Sequence, residues 1–224
     1  MTDILLPLEC WLEIQSKNGN HFPNGNTDYF DRYKGIKKYL KDSVYKYIPA
    51  ATSAEDQGVY TDHGIDHFNA VIRYAGKLLG LPNVPSPEDP LCITPYETFV
   101  LLVSILLHDA GNIFGRQGHE KHPLKIYKDM GPYICPDNFE AKIIAQIASA
   151  HGGKAILADG STCKDTIGNS VLNENEPIHD INVRQKFIAA LVRFSDEICE
   201  DRSRSARFLL GHDALPKWSE IYHA

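Results

Sequence analysis

The sequence predicts an all-α protein, a helical bundle with long loops. Two observations carry this prediction. Apolar residues recur at helical spacing in several segments, and Pro-, Gly- and Asn-rich stretches separate those segments. With 224 residues, of which 43% are hydrophobic, the chain can bury one sizeable core. We therefore expect residues 1–50 to form a leading segment and helix that pack on the core, and residues 51–224 to form the main domain.

The first 50 residues are expected to contain one clear helix. Residues 1–27 hold a short apolar segment followed by the turn-rich stretch NGNHFPNGN, which predicts a loop. From Asp28 onward, YFDRYKGIKKYLKDSVYKYI places aromatic and apolar residues at helical spacing. This pattern predicts a helix that is interrupted at Gly35.

The next two helices are marked by periodicity and by a capping signal. In DHGIDHFNAVIRYAGKLLG, apolar residues such as Phe68 and Val71 recur at helical spacing, which places His67 on an amphipathic helix. The stretch GLPNVPSPEDPLCITP carries five prolines and predicts a loop. Thr94-Pro95-Tyr96-Glu97 then forms a capping box with proline at the first helical position. A helix should therefore run to His108, with Gly111 as its C-terminal stop.

The last part of the chain predicts two further helices around a long irregular stretch. The segment IIAQIASAHGG closes an apolar helix at His151, and residues 152–182 are rich in Gly, Asn and Asp. We expect this insertion to cover one edge of a site. In DINVRQKFIAALVRFSDEICEDRSR, apolar spacing places Asp196 inside a helix. A carboxylate inside such a helix is unusual unless it is paired or bound to a metal.

Adjacent His108 and Asp109 end the apolar run VLLVSILLHDAGN, with His67 upstream and Asp196 downstream. Imidazole nitrogen and carboxylate oxygen are both ligands of first-row metals, and rigid helices can hold them at coordination distance. The order His…His-Asp…Asp resembles the HD superfamily of metal-dependent phosphohydrolases, over a stretch from about Thr61 to Arg204. The closing sequence RFSDEICEDRSR is also similar to the last helix of many HD domains.

The resemblance implies a metal site and its ligands. In the superfamily the aspartate of the dipeptide bridges two ions, a role that the resemblance gives to Asp109. Members with two ions use two further histidines, of which His151 matches one. For the other, HEKHPLKI allows two alignments, with His119 favoured over His122. The cyclic-dinucleotide phosphodiesterase branch is disfavoured because the chain lacks a GYP tripeptide and has a glycine after His151. The expected metal ligands are thus His67, His108, Asp109, His119, His151 and Asp196.

The resemblance also implies a metal-dependent phosphohydrolase that acts on a nucleotide or another phosphoester. One or two divalent transition metal ions are expected (Fe, Mn, Co, Ni or Zn, with Mg as a further option). Such a substrate needs additional positive charge, and Arg193 precedes Asp196 by three residues on the same helix face. Pairing of Arg193 with Glu197 explains that arginine equally well. The candidate catalytic residues are Asp109, Arg193, Lys154 and His63, with Arg116 and Lys121 as further candidate phosphate ligands.

Composition limits the other function classes. A net charge of −6 without a basic cluster argues against an extended nucleic-acid surface, so the expected partner is a small phosphorylated substrate. No apolar run approaches membrane-spanning length, and no signal peptide is evident at the first residues. The five cysteines form no CxxC pair, which suits reduced thiols in a cytoplasm.

A non-catalytic HD signalling module that binds a nucleotide second messenger or a protein partner is the alternative function. The chain ends in what resembles the opening of another helix, as expected for the front of a longer protein. An intact ligand set favours the enzyme, because a scaffold has no need of Asp109.

Overall fold

The computed structural model describes residues 4–49, 51, 64–81 and 92–199. Within these residues the fold is mostly α-helical, which confirms the predicted fold class. The described residues form seven α-helices: α1 (Pro7–Gln15), α2 (Tyr29–Ser43), α3 (Ile65–Leu78), α4 (Pro95–His108), α5 (Pro123–Asp129), α6 (Asn138–Ser149) and α7 (Gln185–Ile198). The proline-rich loop falls largely outside the described residues, and so do His63 and Arg204.

Helix α4 is the central element of the bundle. It packs against α1, α2, α3, α6 and α7, and all its residues from Tyr96 to His108 are buried. The predicted capping box is confirmed, since the Thr94 side chain accepts from the Glu97 backbone N–H while the Glu97 carboxylate accepts from the Thr94 backbone N–H. Leading helices α1 and α2 contribute to the same core as the helices that follow, through Leu8, Leu12, Ile36 and Leu40.

In the part of the chain that the structure describes, one segment, Pro95–Phe114, is long and apolar enough by length and composition to cross a membrane. The expectation that no run approaches this length is therefore wrong. Most of the segment is buried inside the protein, and the core helix of a globular domain meets the same criterion.

Two details of the first 50 residues differ from expectation. Helix α2 is continuous through Gly35, so the predicted interruption is wrong. Asp28 caps its first turn through the Phe30 and Asp31 backbone N–H groups, and buried residues on both sides of the glycine hold the helix together. The apolar segment before the loop is itself helical, as α1.

The insertion at residues 152–182 is not wholly irregular. It forms one antiparallel hairpin from β1 (Ala155–Ile156) and β2 (Thr162–Cys163). A second hairpin joins β3 (Glu176–Ile178) to β4 (Ile181–Val183) just before α7. The strands have two or three residues each, so side-chain contacts to the helices must supply most of the order of the insertion.

Helices α4 and α7 are joined at their first residues. The Arg184 backbone N–H and Nε donate to Glu97 Oε1 at 2.9 and 2.8 Å, and an Arg184 Nη donates to Oε2 at 2.7 Å. Asp109 follows Glu97 by 12 residues and Asp196 follows Arg184 by 12 residues, or about 18 Å along each helix. Because the two helices run parallel from a shared start, this contact brings both aspartates to the same level along the helix axes.

A second buried contact aligns α6 with α4. Tyr96, in the first turn of α4, donates to Glu140 Oε2 in the first turn of α6 at 2.7 Å, and Arg32 of α2 pairs with the same carboxylate. The two helices therefore also start together and run in the same direction. Consequently α4, α6 and α7 end at one side of the bundle, where the metal-ligand candidates lie.

We expect Glu97→Gln to destabilise the fold by roughly 1.5–3 kcal/mol, since charge-assisted hydrogen bonds to a buried carboxylate are lost. Burial raises the pKa of Glu97, but the hydrogen bonds from Arg184 and Thr94 outweigh burial and lower the pKa below 4.5. The stabilisation is therefore fully present above about pH 4.5 and is lost as the pH falls through the folded-state pKa.

Urea unfolding of wild type and Glu97→Gln between pH 3 and pH 7 measures this effect. The difference in unfolding free energy should be largest at pH 7 and shrink towards pH 3. Exposed Glu13→Gln is the matched control, with an expected change within about 0.5 kcal/mol. A Glu97→Gln difference that does not vary with pH would contradict the role assigned to the charge.

Candidate metal centre

Three histidines of the candidate centre are oriented in the same way by backbone carbonyls three residues earlier. His108 Nδ1 lies 2.6 Å from Ile105 O, His151 Nδ1 lies 2.6 Å from Ala148 O, and His119 Nδ1 lies 2.9 Å from Arg116 O. Ile105 and Ala148 lie in the last turns of α4 and α6, where carbonyls without a full intrahelical partner can accept an Nδ1–H, whereas Arg116 precedes the short 3₁₀ turn at His119–Lys121. The hydrogen bond fixes the tautomer and leaves Nε2 of each ring as the atom that could bind a metal.

His67 presents its Nε2 to the same place from the first turn of α3. Its Nδ1 lies 3.7 Å from the thiol of Cys199, a buried residue at the end of α7. His67 thus differs from the other three histidines, because a side chain from another helix lies beside its second nitrogen.

A first group of donor atoms comprises His67 Nε2, His108 Nε2, Asp109 Oδ2 and Asp196 Oδ1. The two nitrogens lie 3.3 Å apart, and Asp196 Oδ1 lies 3.4 Å from His67 and 3.5 Å from His108. Asp109 Oδ2 lies 3.6 Å from each nitrogen. The four residues predicted as the core of the site are therefore together in the structure.

A second group uses the other oxygen of Asp109. Asp109 Oδ1 lies 3.0 Å from His119 Nε2 and 3.5 Å from His151 Nε2, and those two nitrogens lie 3.1 Å apart. One carboxylate therefore faces two sets of donors, one with each oxygen. This is the arrangement that a bridging ligand requires.

These separations fit a divalent metal ion. Nitrogen and oxygen ligands at about 2.1 Å from an ion lie about 3.0 Å apart at right angles and about 3.4 Å apart at the tetrahedral angle. The distances within both groups fall between 3.0 and 3.6 Å. Two imidazoles with one or two carboxylate oxygens in each group suit a first-row transition metal better than Mg²⁺, which prefers oxygen ligands alone.

The electrostatics of the first group favour a cation. Burial lowers the pKa of His108, but the carboxylates of Asp109 and Asp196 outweigh burial and raise the pKa to about 9. For Asp196, burial raises the pKa, but His108 outweighs it and the pKa falls to about 2. The group thus stabilises a positive charge between its carboxylates, the property that a metal ion bound in exchange for a proton would use.

Each of the two groups combines buried residues with one more accessible residue. His67, His108 and Asp109 are buried, with exposed fractions of 2%, 0% and 6%. The side chains of His119 and Asp196 are the more accessible ones, with exposed fractions of 19% and 25%. A substrate would therefore reach the centre from the side of these two residues.

His119 approaches Asp109 because two short turns pack closely. A 3₁₀ turn at Ala110–Phe114 follows α4, and a β-carbon on Gly111 would overlap the backbone carbonyl oxygen of His119. Gly111 is therefore needed for this close approach and not as the predicted stop of α4, which ends at its C-cap residue Asp109. His122 instead lies against Phe114, with ring centroids 4.8 Å apart and ring planes tilted by 56°.

The predicted basic residues have contacts of other kinds. One Nη of Arg193 donates to Lys164 O and to Thr166 Oγ1, both at 3.2 Å, and both of these acceptors belong to the insertion. Lys154, Arg116 and Lys121 are exposed. His63 lies outside the described residues. Phosphate binding by any of these side chains stays a prediction.

Three residues near the centre were missed from the sequence. Cys199 lies beside His67, and its position three residues after Asp196 on the same helix face is a signal that was present. Asn112 donates its side-chain amide to Asp109 O at 3.0 Å, and it follows the His-Asp pair within one turn. Thr166, in the insertion, carried no sequence signal at all.

The family of the protein follows from comparison with known families. The family model HD-CE matches residues 58–224, which is about three quarters of the chain. The protein belongs to this family, which is of the HD-domain type, and the predicted resemblance is thereby confirmed. No curated protein and no solved structure gives a significant match.

Proposed function

We propose that the protein is a metal-dependent phosphohydrolase that acts on a nucleotide or another small phosphoester. One observation carries the proposal: Asp109 presents one oxygen to His67 and His108 and the other to His119 and His151. A single carboxylate between two pairs of imidazoles is suited to hold two metal ions. The HD-domain membership supports the same class of activity.

Charge balance supports an anionic substrate. Asp109 and Asp196 contribute two negative charges, and four neutral imidazoles contribute none. Two divalent ions would leave the centre with a net charge of +2, which matches a phosphate dianion. Because the whole chain carries a charge of −6, attraction of the substrate must be local to this centre.

Each residue has a defined task in this proposal. The imidazoles hold the ions through Nε2, with tautomers fixed by the carbonyls that their Nδ1–H groups contact. Asp109 keeps the two sites at a fixed separation, and Asp196 completes the first. Bound divalent ions supply an acidified water and positive charge for the phosphoryl oxygens. Arg193, Lys154 and His63 remain candidates for contacts to the substrate.

Metal content and a panel of phosphoesters test the proposal together. Protein purified without chelator should contain about two equivalents of Fe, Mn, Co, Ni or Zn. It should hydrolyse at least one member of a panel of phosphomonoesters, nucleoside phosphates and cyclic or linear dinucleotides. Turnover should disappear with a chelator and return when one of these ions is added.

Two outcomes would contradict the proposal. Protein that binds no metal after incubation with each ion would exclude the metal centre. Protein that holds its metal and binds nucleotides, but hydrolyses no phosphoester in the panel, would favour the non-catalytic signalling module instead.

A further inference from the structure

The insertion contacts the end of α6 directly before a candidate metal ligand. Thr166 is buried, and its hydroxyl donates to the backbone carbonyl of Ala150 at 2.5 Å. Ala150 is the C-cap residue of α6, and His151 follows it. The hydroxyl therefore satisfies a helix-end carbonyl directly before His151, which belongs to the second donor group.

The same hydroxyl is contacted from α7. Arg193 donates to Thr166 Oγ1 at 3.2 Å and to the carbonyl of Lys164, two residues earlier in the insertion, at the same distance. Arg193 lies three residues before Asp196 on one face of the helix. Asp196 belongs to the first donor group, through its contacts with His67 and His108.

A threonine hydroxyl has one hydrogen to donate and lone pairs to accept. Here the hydrogen goes to Ala150 and a lone pair accepts from Arg193, so Thr166 joins the end of α6 to α7. The chain Ala150–Thr166–Arg193 therefore runs between the helices that carry His151 and Asp196. Partners of this kind hold metal ligands in the geometry that binding requires.

We propose that Thr166 and Arg193 are positioning residues that hold His151 at the distance from Asp109 that the second metal ion needs. This inference rests on the two-ion centre of the proposed function. The insertion thereby controls occupancy of the second site, while the first site depends on α3, α4 and α7. Displacement of Thr166 from Ala150 would release the second ion and leave the first in place.

Substitutions at Thr166 separate this role from simple packing. Thr166→Val keeps the volume but removes the hydroxyl, whereas Thr166→Ser keeps the hydroxyl. Calorimetric titration of the metal-free 224-residue protein with Mn²⁺ or Co²⁺ should resolve two equivalents in the wild type. In Thr166→Val the second equivalent should bind at least about tenfold more weakly, as expected for loss of a partner that positions a ligand. The affinity for the first equivalent should change by less than about twofold, because the ligands of the first ion keep their contacts.

The control variants come from the same insertion and from the chain of hydrogen bonds through Thr166 and Arg193. Thr162→Val is the matched control, since Thr162 is exposed on β2, and both metal affinities should equal those of the wild type. Thr166→Ser should retain tight binding of the second ion. Arg193→Met should weaken binding of the second ion as Thr166→Val does. In the double variant the loss of affinity should be less than the product of the two single effects, because both residues belong to the same chain of hydrogen bonds. Arg193→Met gives the same prediction if Thr166→Val does not fold.

The outcomes distinguish this inference from the proposed function. Wild-type protein that binds one equivalent or none would overturn the two-ion centre, and this inference with it. Wild-type protein that binds two equivalents, with a second ion unaffected in both Thr166→Val and Arg193→Met, would overturn this inference alone. Equal weakening of the binding of both ions would also overturn this inference, since that result indicates general loss of structure.

Discussion

Asp109→Ala is expected to lose both metal ions and to reduce phosphoester hydrolysis by on the order of a thousandfold, or about 4 kcal/mol of transition-state stabilisation. Among the described residues, Asp109 is the one whose carboxylate oxygens face both donor groups. Without it, each pair of imidazoles loses its shared negative charge. Metal analysis of the purified variant, together with turnover of the best substrate, measures the effect.

Asp129→Ala is the control for this substitution, since Asp129 is an exposed aspartate at the end of α5. It should keep two equivalents of metal and wild-type turnover. Circular dichroism of both metal-free variants shows whether the fold is intact. Retention of both ions by folded Asp109→Ala would rule out the bridging carboxylate.

Substitution in the second donor group should remove one ion and leave the other bound. His119→Ala and His151→Ala should each retain about one equivalent of metal, because the first group keeps all its donors. Turnover should fall by on the order of a hundredfold, as expected for loss of about 3 kcal/mol of charge stabilisation. Elemental analysis and single-turnover kinetics measure the two quantities.

His122→Ala is a matched control because His122 lies three residues after His119 and contacts the ring of Phe114. It should keep both ions. Loss of the second ion in His122→Ala, with both ions kept in His119→Ala, would show that the donor group uses His122. Two equivalents in all three variants would contradict the second group.

The helices and the first donor group could be predicted because their signals are local. The capping box at Thr94, the apolar repeat around His67 and the helical setting of Asp196 depend on residues within a few turns of each other. The order of the ligands along the chain was enough to indicate the HD-domain type. The sequence favours His119 over His122 without deciding between them, because both lie in the same short polar segment.

Other features depend on contacts between distant parts of the chain. Arg193 lies on the helix face expected from its spacing to Asp196, yet it donates hydrogen bonds to Lys164 and Thr166, 29 and 27 residues earlier. The role of Gly111 was also not evident, since the reason for a glycine there is the carbonyl of His119. Neither contact follows from helical periodicity.

The sequence by itself determined that the protein is helical and that α3, α4 and α7 bring the candidate metal-ligand residues, because helix signals lie within each segment and the order of the candidates can be read along the chain. Only the tertiary structure decided that Asp109 faces two donor groups, that His119 completes the second, and that the insertion contacts α6 and α7 through Thr166. The physical reason is that hydrogen bonds and ligand geometry act over about 3 Å. Whether atoms far apart in the chain come that close depends on how the helices pack, which no single segment encodes.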